Sequence, residues 1–298
     1  MRVCGKEIKV TGRLLRIARL DAEKYLFLDN PEAVIKELRA SEEHVDLFTF
    51  MQRLPDTAPK YDFPMELDNF AALPISTFDN WWNKQIGFKA RNKAKQAEKK
   101  GVTLREVPFD DELVRGIWAI YNECPIRQGR RFPHYGKDVE TVRKEAATYL
   151  EHSTFIGAFL DERLIGFVKL VADESGTQAG LMNVVSMVEQ RDKAPTNALI
   201  AHAVRACASR NISYLVYSNF AYGKKLSDSL SDFKERNAFQ RIDVPRYYVP
   251  ITAIGRAGFA LGLHRRLADH VPESIAAKLR HLRSAWYSRK FQAAGEAS

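Results

Sequence analysis

The sequence predicts an α/β protein of the α+β kind, a mixed sheet flanked by helices. Residues 154–160 and 164–172 are β-rich apolar runs around the charged break Asp161-Glu162-Arg163, the pattern of a hairpin. Residues 181–188, 212–218 and 244–252 add three more strand-like runs. Helical stretches at 195–209 and 226–238 fall between them, so the order is ββ-β-α-β-α-β.

The elements before the hairpin complete this picture. Residues 6–10 and 14–20 read as short strands, and 45–51 as another. Residues 31–38 read as a helix with Asn30 as N-cap and Pro31 in the first turn. Residues 54–64, rich in Pro, Asp and Lys, read as loop. No catalytic constellation stands out in this part, whose expected task is to complete a sheet.

Residues 76–100 predict one long helix. Ser76 is the expected N-cap, with Asp79 at the third position as in a capping box. Phe78, Trp81, Trp82, Gln85 and Ile86 make its docking end. Arg91, Lys95 and Lys99 follow four apart on one stripe, with Lys89, Lys93 and Lys100 beside them. Gly101 ends the helix and 102–107 resumes as strand. Residues 110–121 form a helix with Leu113, Ile117, Trp118, Ile120 and Tyr121 on its apolar side. A loop at 127–136 then mixes Arg127, Arg130 and Arg131 with glycines and aromatics, before a helix at 139–151. Such a loop holds phosphate and stacks on a base, or is simply a solvated turn. His134 within it is a weak candidate general base.

The chain has 298 residues, 45% of them hydrophobic, enough for one large domain or two small ones. No apolar run is long enough to span a membrane, and residues 1–20 lack the apolar core of a signal peptide. Cys4, Cys124 and Cys207 are few, odd in number and far apart, which points to a reduced, cytoplasmic protein. No Cys/His spacing suggests a metal site. The net charge of +9 is concentrated. Residues 76–100 carry +5, residues 251–298 carry +5, and the rest of the chain sums to −1. Two basic patches suggest polyanionic partners, although solvated helix faces look the same in sequence. In the tail, Pro272 opens a helix with Ile275, Leu279, Leu282 and Trp286 on one side, to pack on the core or to contact a membrane or partner.

Two stretches carry a family resemblance. The run Arg91-Asn92-Lys93-Ala94-Lys95-Gln96-Ala97-Glu98-Lys99-Lys100-Gly101-Val102 resembles the basic helix of the Fem-type (FemABX) aminoacyltransferases. The run from Leu226 to Phe239, with Phe233-Lys234 in it, resembles that family's Phe-Lys helix. Between them lies the element order of the GNAT (acyl-CoA N-acyltransferase) fold. The resemblance covers about 76–249. It implies a GNAT-like core at 108–252, a reduced N-terminal half at 1–107 with the basic helix at 77–100, and a basic helical extension at 253–298.

The resemblance also implies a chemistry: transfer of an acyl or aminoacyl group to an amine on a small molecule, peptide or cell-wall precursor. The donor is an anionic co-substrate, acyl-CoA or aminoacyl-tRNA, with no tightly bound cofactor. Acyl-CoA-binding members carry small residues in the loop after the third core strand, where backbone N–H groups meet pyrophosphate. Here Gln190 fits, but Lys193 and Pro195 fall on the small positions, and Arg191 and Asn197 stand beside them. Fem-type proteins do not need that loop. Donor-binding candidates are therefore Arg91, Lys95, Arg127, Arg130, Arg131, Asn183, Gln190, Arg191, Lys193 and Asn197. Tyr217 and Asn219, at a strand end, and Lys234 are the catalytic candidates, and Ser186, Ser218 and Glu189 lie in the same strands. Lys234→Ala is expected to lower turnover with little change in melting temperature. No Ser-His-Asp or Cys-His order supports covalent catalysis. The alternative is a non-catalytic module that keeps the fold to bind RNA or an anionic surface.

Overall fold

Among the described residues of the computed structural model (1–127, 129–221 and 229–265), eleven strands form one mixed sheet. The chain opens with β1 (Arg2–Val3), β2 (Lys6–Thr11), β3 (Ile17–Leu20), α1 (Pro31–Ala40), β4 (Leu47–Met51) and β5 (Met65–Pro74). It continues with α2 (Phe78–Asn80), α3 (Phe88–Lys99), β6 (Thr103–Val107) and α4 (Asp111–Asn122). A small hairpin, β7 (Ile126–Arg127) and β8 (Arg130–Arg131), replaces the expected loop and precedes α5 (Val139–Ala146). Then come β9 (Ser153–Leu160), β10 (Arg163–Ala172), β11 (Gln178–Ser186), α6 (Pro195–Ser209) and β12 (Tyr214–Asn219). The described chain ends with α7 (Ser229–Arg236), β13 (Gln240–Pro250) and α8 (Ala253–Ala260). Across the sheet the order is β1-β2-β3-β4-β13-β5-β12-β11-β10-β9-β6.

The predicted hairpin is β9–β10, and the sheet grows outward from it in antiparallel register on both sides. Asp161 and Glu162 both take positive φ in its turn. β13 crosses back to lie between β4 and β5, so one sheet joins strands from both sides of the boundary expected at residue 107. The strand β5 was not foreseen. Its first half alternates Glu66, Asp68 and Asn69 with apolar residues, which hides a strand that only its neighbours β12 and β13 reveal.

Three hydrophobic clusters stabilise the two faces. The largest packs α3, α4 and α6 onto β9–β12 around Trp81, Phe167, Val168, Leu199 and Val204. α6 is buried nearly all round, which its small apolar residues Ala198, Ala203, Ala206 and Cys207 permit. A second cluster lies under α1 with Leu38, Phe48, Phe50 and Tyr247. The third joins Phe27, Leu54, Phe70 and Val216. Each large side chain buried this way contributes about 1.5–3 kcal/mol before entropy is counted.

Residues 76–100 are not one helix. Thr77, not Ser76, is the cap, its Oγ1 accepting from the Asn80 N–H at 3.0 Å. A π-type turn, Trp81–Gln85, follows α2, and the chain then extends through Gly87 before α3 begins. The Gly87 N–H donates to the Arg236 carbonyl at 2.9 Å, and a Cβ there would sit 3.0 Å from that oxygen. The break therefore answers a contact with α7 that the local sequence does not contain. The predicted helix 139–151 ends at Ala146, and Leu150–His152 forms a separate short turn. Of the predicted helix 226–238, the first three residues lie outside the described residues, as does the helix expected from Pro272. α8 was not foreseen. Thr252 caps it, and Gly255 touches the backbone of Asp46, where a Cβ would lie 1.8 Å from the carbonyl oxygen.

Candidate functional site

The sheet opens between two of its central strands. β11 and β12 are parallel and pair only from Gln178↔Tyr214 to Gly180↔Val216. Beyond that point β11 runs on to Ser186 and β12 to Asn219 without pairing, which leaves a wedge lined by backbone groups. β11 is bulged at the wedge, where its register against β10 skips Met182. β12 is irregular on its other side, with Ser218 at φ +51°. Strand ends at such an opening are where ligands sit in α/β sheets.

Lys234, Tyr217 and Asn219 meet at the end of β12. Lys234 lies on α7 and is wholly buried. Its Nζ donates to the Asn219 carbonyl at 2.5 Å and lies 5.0 Å from the centroid of the Tyr217 ring. Phe239 packs edge-on against that ring at 5.8 Å. A second ammonium reaches the same place. Lys24 Nζ donates to Asn219 Oδ1 at 2.7 Å and to Ser218 Oγ at 3.2 Å. Lys24 escaped the sequence reading because it is a single lysine in a polar turn, and only the tertiary fold aims it.

The turn carrying Lys24 is a strap across the wedge. Tyr149 Oη donates to Asp21 at 2.8 Å. Glu23 accepts from Arg246 at 2.7 Å. Tyr25 lies flat against Gly180, where a Cβ would sit 2.5 Å from its ring. Gly180→Ala is therefore expected to push the strap off the wedge vertex. Stability should fall by about 1–3 kcal/mol, the range for overpacking, measured by chemical denaturation. Arg246 anchors the strap from below, bonding also to Asp68 at 2.7 Å and Thr49 at 3.3 Å. Burial alone would lower its pKa, but Glu23 and Asp68 outweigh that and hold the guanidinium firmly protonated.

At the far end of β11 the chain turns into α6 through the 190–194 segment. Two backbone donors just before it, Val188 N and Glu189 N, are taken by the Glu123 carboxylate at 2.8 and 2.7 Å. Arg127 backs this carboxylate at 3.2 Å and donates to the carbonyls of Ser186 and Ile120, each at 2.7 Å. The turn then closes on itself. Arg191 N, Lys193 N and Ala194 N bond to Val188, Gln190 and Arg191 carbonyls, and Asn197 N bonds to Ala194. Pro195 has no N–H, and Ala194 takes φ +54°. Asp192 ties the turn to the end of α3, its carboxylate 2.9 Å from Lys100 Nζ and its carbonyl 3.0 Å from Gln96 Nε2.

No family model matches the chain, and no curated protein matches it in sequence. Solved structures do match its fold. FemX superposes with TM-score 0.56 at 10% identity, over 80% of this chain and 83% of that one. L-PGS from Bacillus licheniformis gives 0.55 at 14%, over 85% and 84%. The C-terminal domain (DUF2156) of a proposed lysylphosphatidylglycerol synthetase from Agrobacterium fabrum gives 0.55 at 14%, over 88% and 85%.

The fold is shared with FemX and L-PGS.

Within this sheet the candidate residues fall into separate groups. Lys234, Tyr217 and Asn219 share the end of β12. Asn183 lies half-buried in the open part of β11. Gln190, Arg191, Lys193 and Asn197 cluster at the turn into α6, where Arg191 is exposed and makes no side-chain bond to any described residue. Arg127 belongs to the scaffold, since its two NH groups are spent on carbonyls and on Glu123. Arg130 and Arg131 are exposed on the β7–β8 hairpin next to it. Arg91 donates to the Trp82 carbonyl at 3.2 Å, while Lys95 is exposed on the α3 face away from the buried Ala90, Ala94 and Ala97. His134 stacks on Tyr121 at 4.3 Å, and burial lowers its pKa. Glu123, the carboxylate that fills the β11 exit, carried no sequence signal, because a helix-end glutamate is ordinary. Among the described residues no helix is long and apolar enough to cross a membrane.

Proposed function

We propose that this chain is an aminoacyltransferase that takes its aminoacyl group from aminoacyl-tRNA and passes it to an amine. The observation that carries this reading is the turn into α6. A CoA pyrophosphate needs free backbone N–H groups at that turn. Here Glu123 fills two of them, the turn's own carbonyls take four more, and Pro195 removes another. Arg191, Lys193 and Lys100, set against Asp192, leave net positive side-chain charge there, continuous with the basic α3. That suits a long phosphate backbone better than one pyrophosphate. The likeness to a lysylphosphatidylglycerol synthetase supports an aminoacyl cargo over an acetyl one.

In this reading the ester carbonyl of the donor enters the wedge near Asn219. The acceptor nitrogen attacks the carbonyl carbon and the carbonyl oxygen gains negative charge. The bond to the ribose oxygen then breaks, and the proton lost by the amine goes to that oxygen. Lys234, close behind the Asn219 carbonyl, supplies fixed positive charge to the developing oxyanion, and Lys24 adds to the field. Neither forms a bond to the substrate, and an amine nucleophile needs no covalent intermediate.

Thermal-shift titration with charged tRNA, acetyl-CoA and longer acyl-CoA esters tests the donor. The expected result is stabilisation by charged tRNA that weakens as salt rises, and none by the CoA esters. Saturable stabilisation by a CoA ester would overturn the tRNA assignment. Tight tRNA binding with no loss of the aminoacyl ester in the presence of amines would favour RNA binding without catalysis.

A further inference from the structure

Large aliphatic side chains of the described residues are exposed together at one place away from the wedge. α8 turns Gly255 and Gly258 inward, and carries Ile254, Ala257 and, just past its end, Leu261 outward at i, i+3 and i+7. Ile254 is 57% exposed, Leu261 71% and Leu263 60%. Leu14, 92% exposed, adjoins the segment that packs on α8. Its neighbour Leu15 packs on Gly258, where a Cβ would lie 2.7 Å from Leu15 Cδ1. One carboxylate also holds the two segments, with Asp46 accepting from Arg16 N at 2.9 Å and from Thr252 Oγ1 at 2.8 Å. The far end is tied down too, since His264 Nε2 and Arg265 both meet Glu66, at 3.1 and 2.6 Å.

The rim of this patch is basic. Arg13 and Arg256 are exposed, and neither side chain bonds to a described residue. Four exposed aliphatics on rigidly held backbone are more than scattered surface leucines, and they mark an interaction surface. An apolar centre with a guanidinium rim fits a bilayer of anionic lipid. The aliphatics enter the acyl boundary while the arginines meet headgroup phosphates. RNA would satisfy the arginines and leave the leucines in water. We propose that this patch, built from Leu14, Ile254, Leu261 and Leu263 with Arg13 and Arg256, docks the protein on an anionic membrane surface. This does not depend on the transfer reading, because binding is measured without donor or acceptor.

The test is co-sedimentation of the full chain with two kinds of vesicle, phosphatidylcholine alone and phosphatidylcholine mixed with phosphatidylglycerol. The expected result is binding to the mixed vesicles only, weakened by salt. Arg13→Gln or Arg256→Gln should weaken it about fivefold each. The double variant Ile254→Asp with Leu261→Asp should weaken it roughly tenfold or more, with an unchanged melting temperature. The proposal is overturned if the wild-type chain binds neither vesicle, or binds both alike. Full binding by the double variant would also overturn it, by assigning the contact to another surface. A lowered melting temperature in that variant would overturn it as well, because the patch would then be covered by the chain itself.

Discussion

Lys234→Met is expected to lower aminoacyl transfer by about 10²–10³-fold, the usual loss when one fixed stabiliser of an oxyanion is removed. Tight binding of charged tRNA should survive, since the basic surface at α3 and the turn into α6 is untouched. Single-turnover kinetics with labelled aminoacyl-tRNA separates the two effects. Wild-type transfer by this variant would remove Lys234 from the mechanism. The structure changes the choice of substitution. From sequence, Lys234→Ala was expected to leave stability alone. Yet Lys234 is fully buried and satisfies the Asn219 carbonyl. Alanine there opens a void and orphans a carbonyl, which together cost about 2–5 kcal/mol. Methionine fills the same space and keeps that cost smaller, so activity and folding can be told apart.

Arg246→Met is expected to give the largest loss of stability, about 3–5 kcal/mol. Its guanidinium is the shared partner of Glu23 and Asp68, and removing it leaves two carboxylates close together and poorly hydrated. Scanning calorimetry should show the midpoint falling by roughly 10 °C. Adding Glu23→Gln to the variant should recover part of the loss, because one of the stranded charges is gone. No recovery would mean that the arginine matters through packing alone. Transfer should also fall, since Glu23 is the tether that holds Lys24 at Asn219.

Much of the fold was legible because its signals are local. The hairpin β9–β10 announces itself through two apolar runs around three charged residues. α6 shows its length in small apolar residues, and Asp110 caps α4 where a helix start was expected. Lys234 stood out only through the Phe233-Lys234 resemblance, and it does lie against Tyr217 and Asn219. What escaped depends on partners distant in sequence. Gly87 breaks a helix because Arg236 lies against it. β5 reads as a polar stretch because its pairing comes from 140 or more residues further on. Lys24 and Glu123 are ordinary charged residues until the fold brings them to the wedge. Arg127 looked like a phosphate ligand, and its donors instead hold backbone carbonyls, which no count of arginines in a loop predicts.

The position of β13 has a consequence for how the protein is made. A ribosome releases β4 and β5 early, yet the strand that joins them is Gln240–Pro250. Until it emerges, Leu47–Met51 and Met65–Pro74 each present an unpaired edge, and Phe48, Phe50 and Phe70 lack the cover of Tyr247 and Val244. Such edges recruit other chains. The nascent N-terminal half is thus expected to call on chaperones, and truncation before residue 240 is expected to give an aggregating fragment, seen as loss of soluble protein on expression.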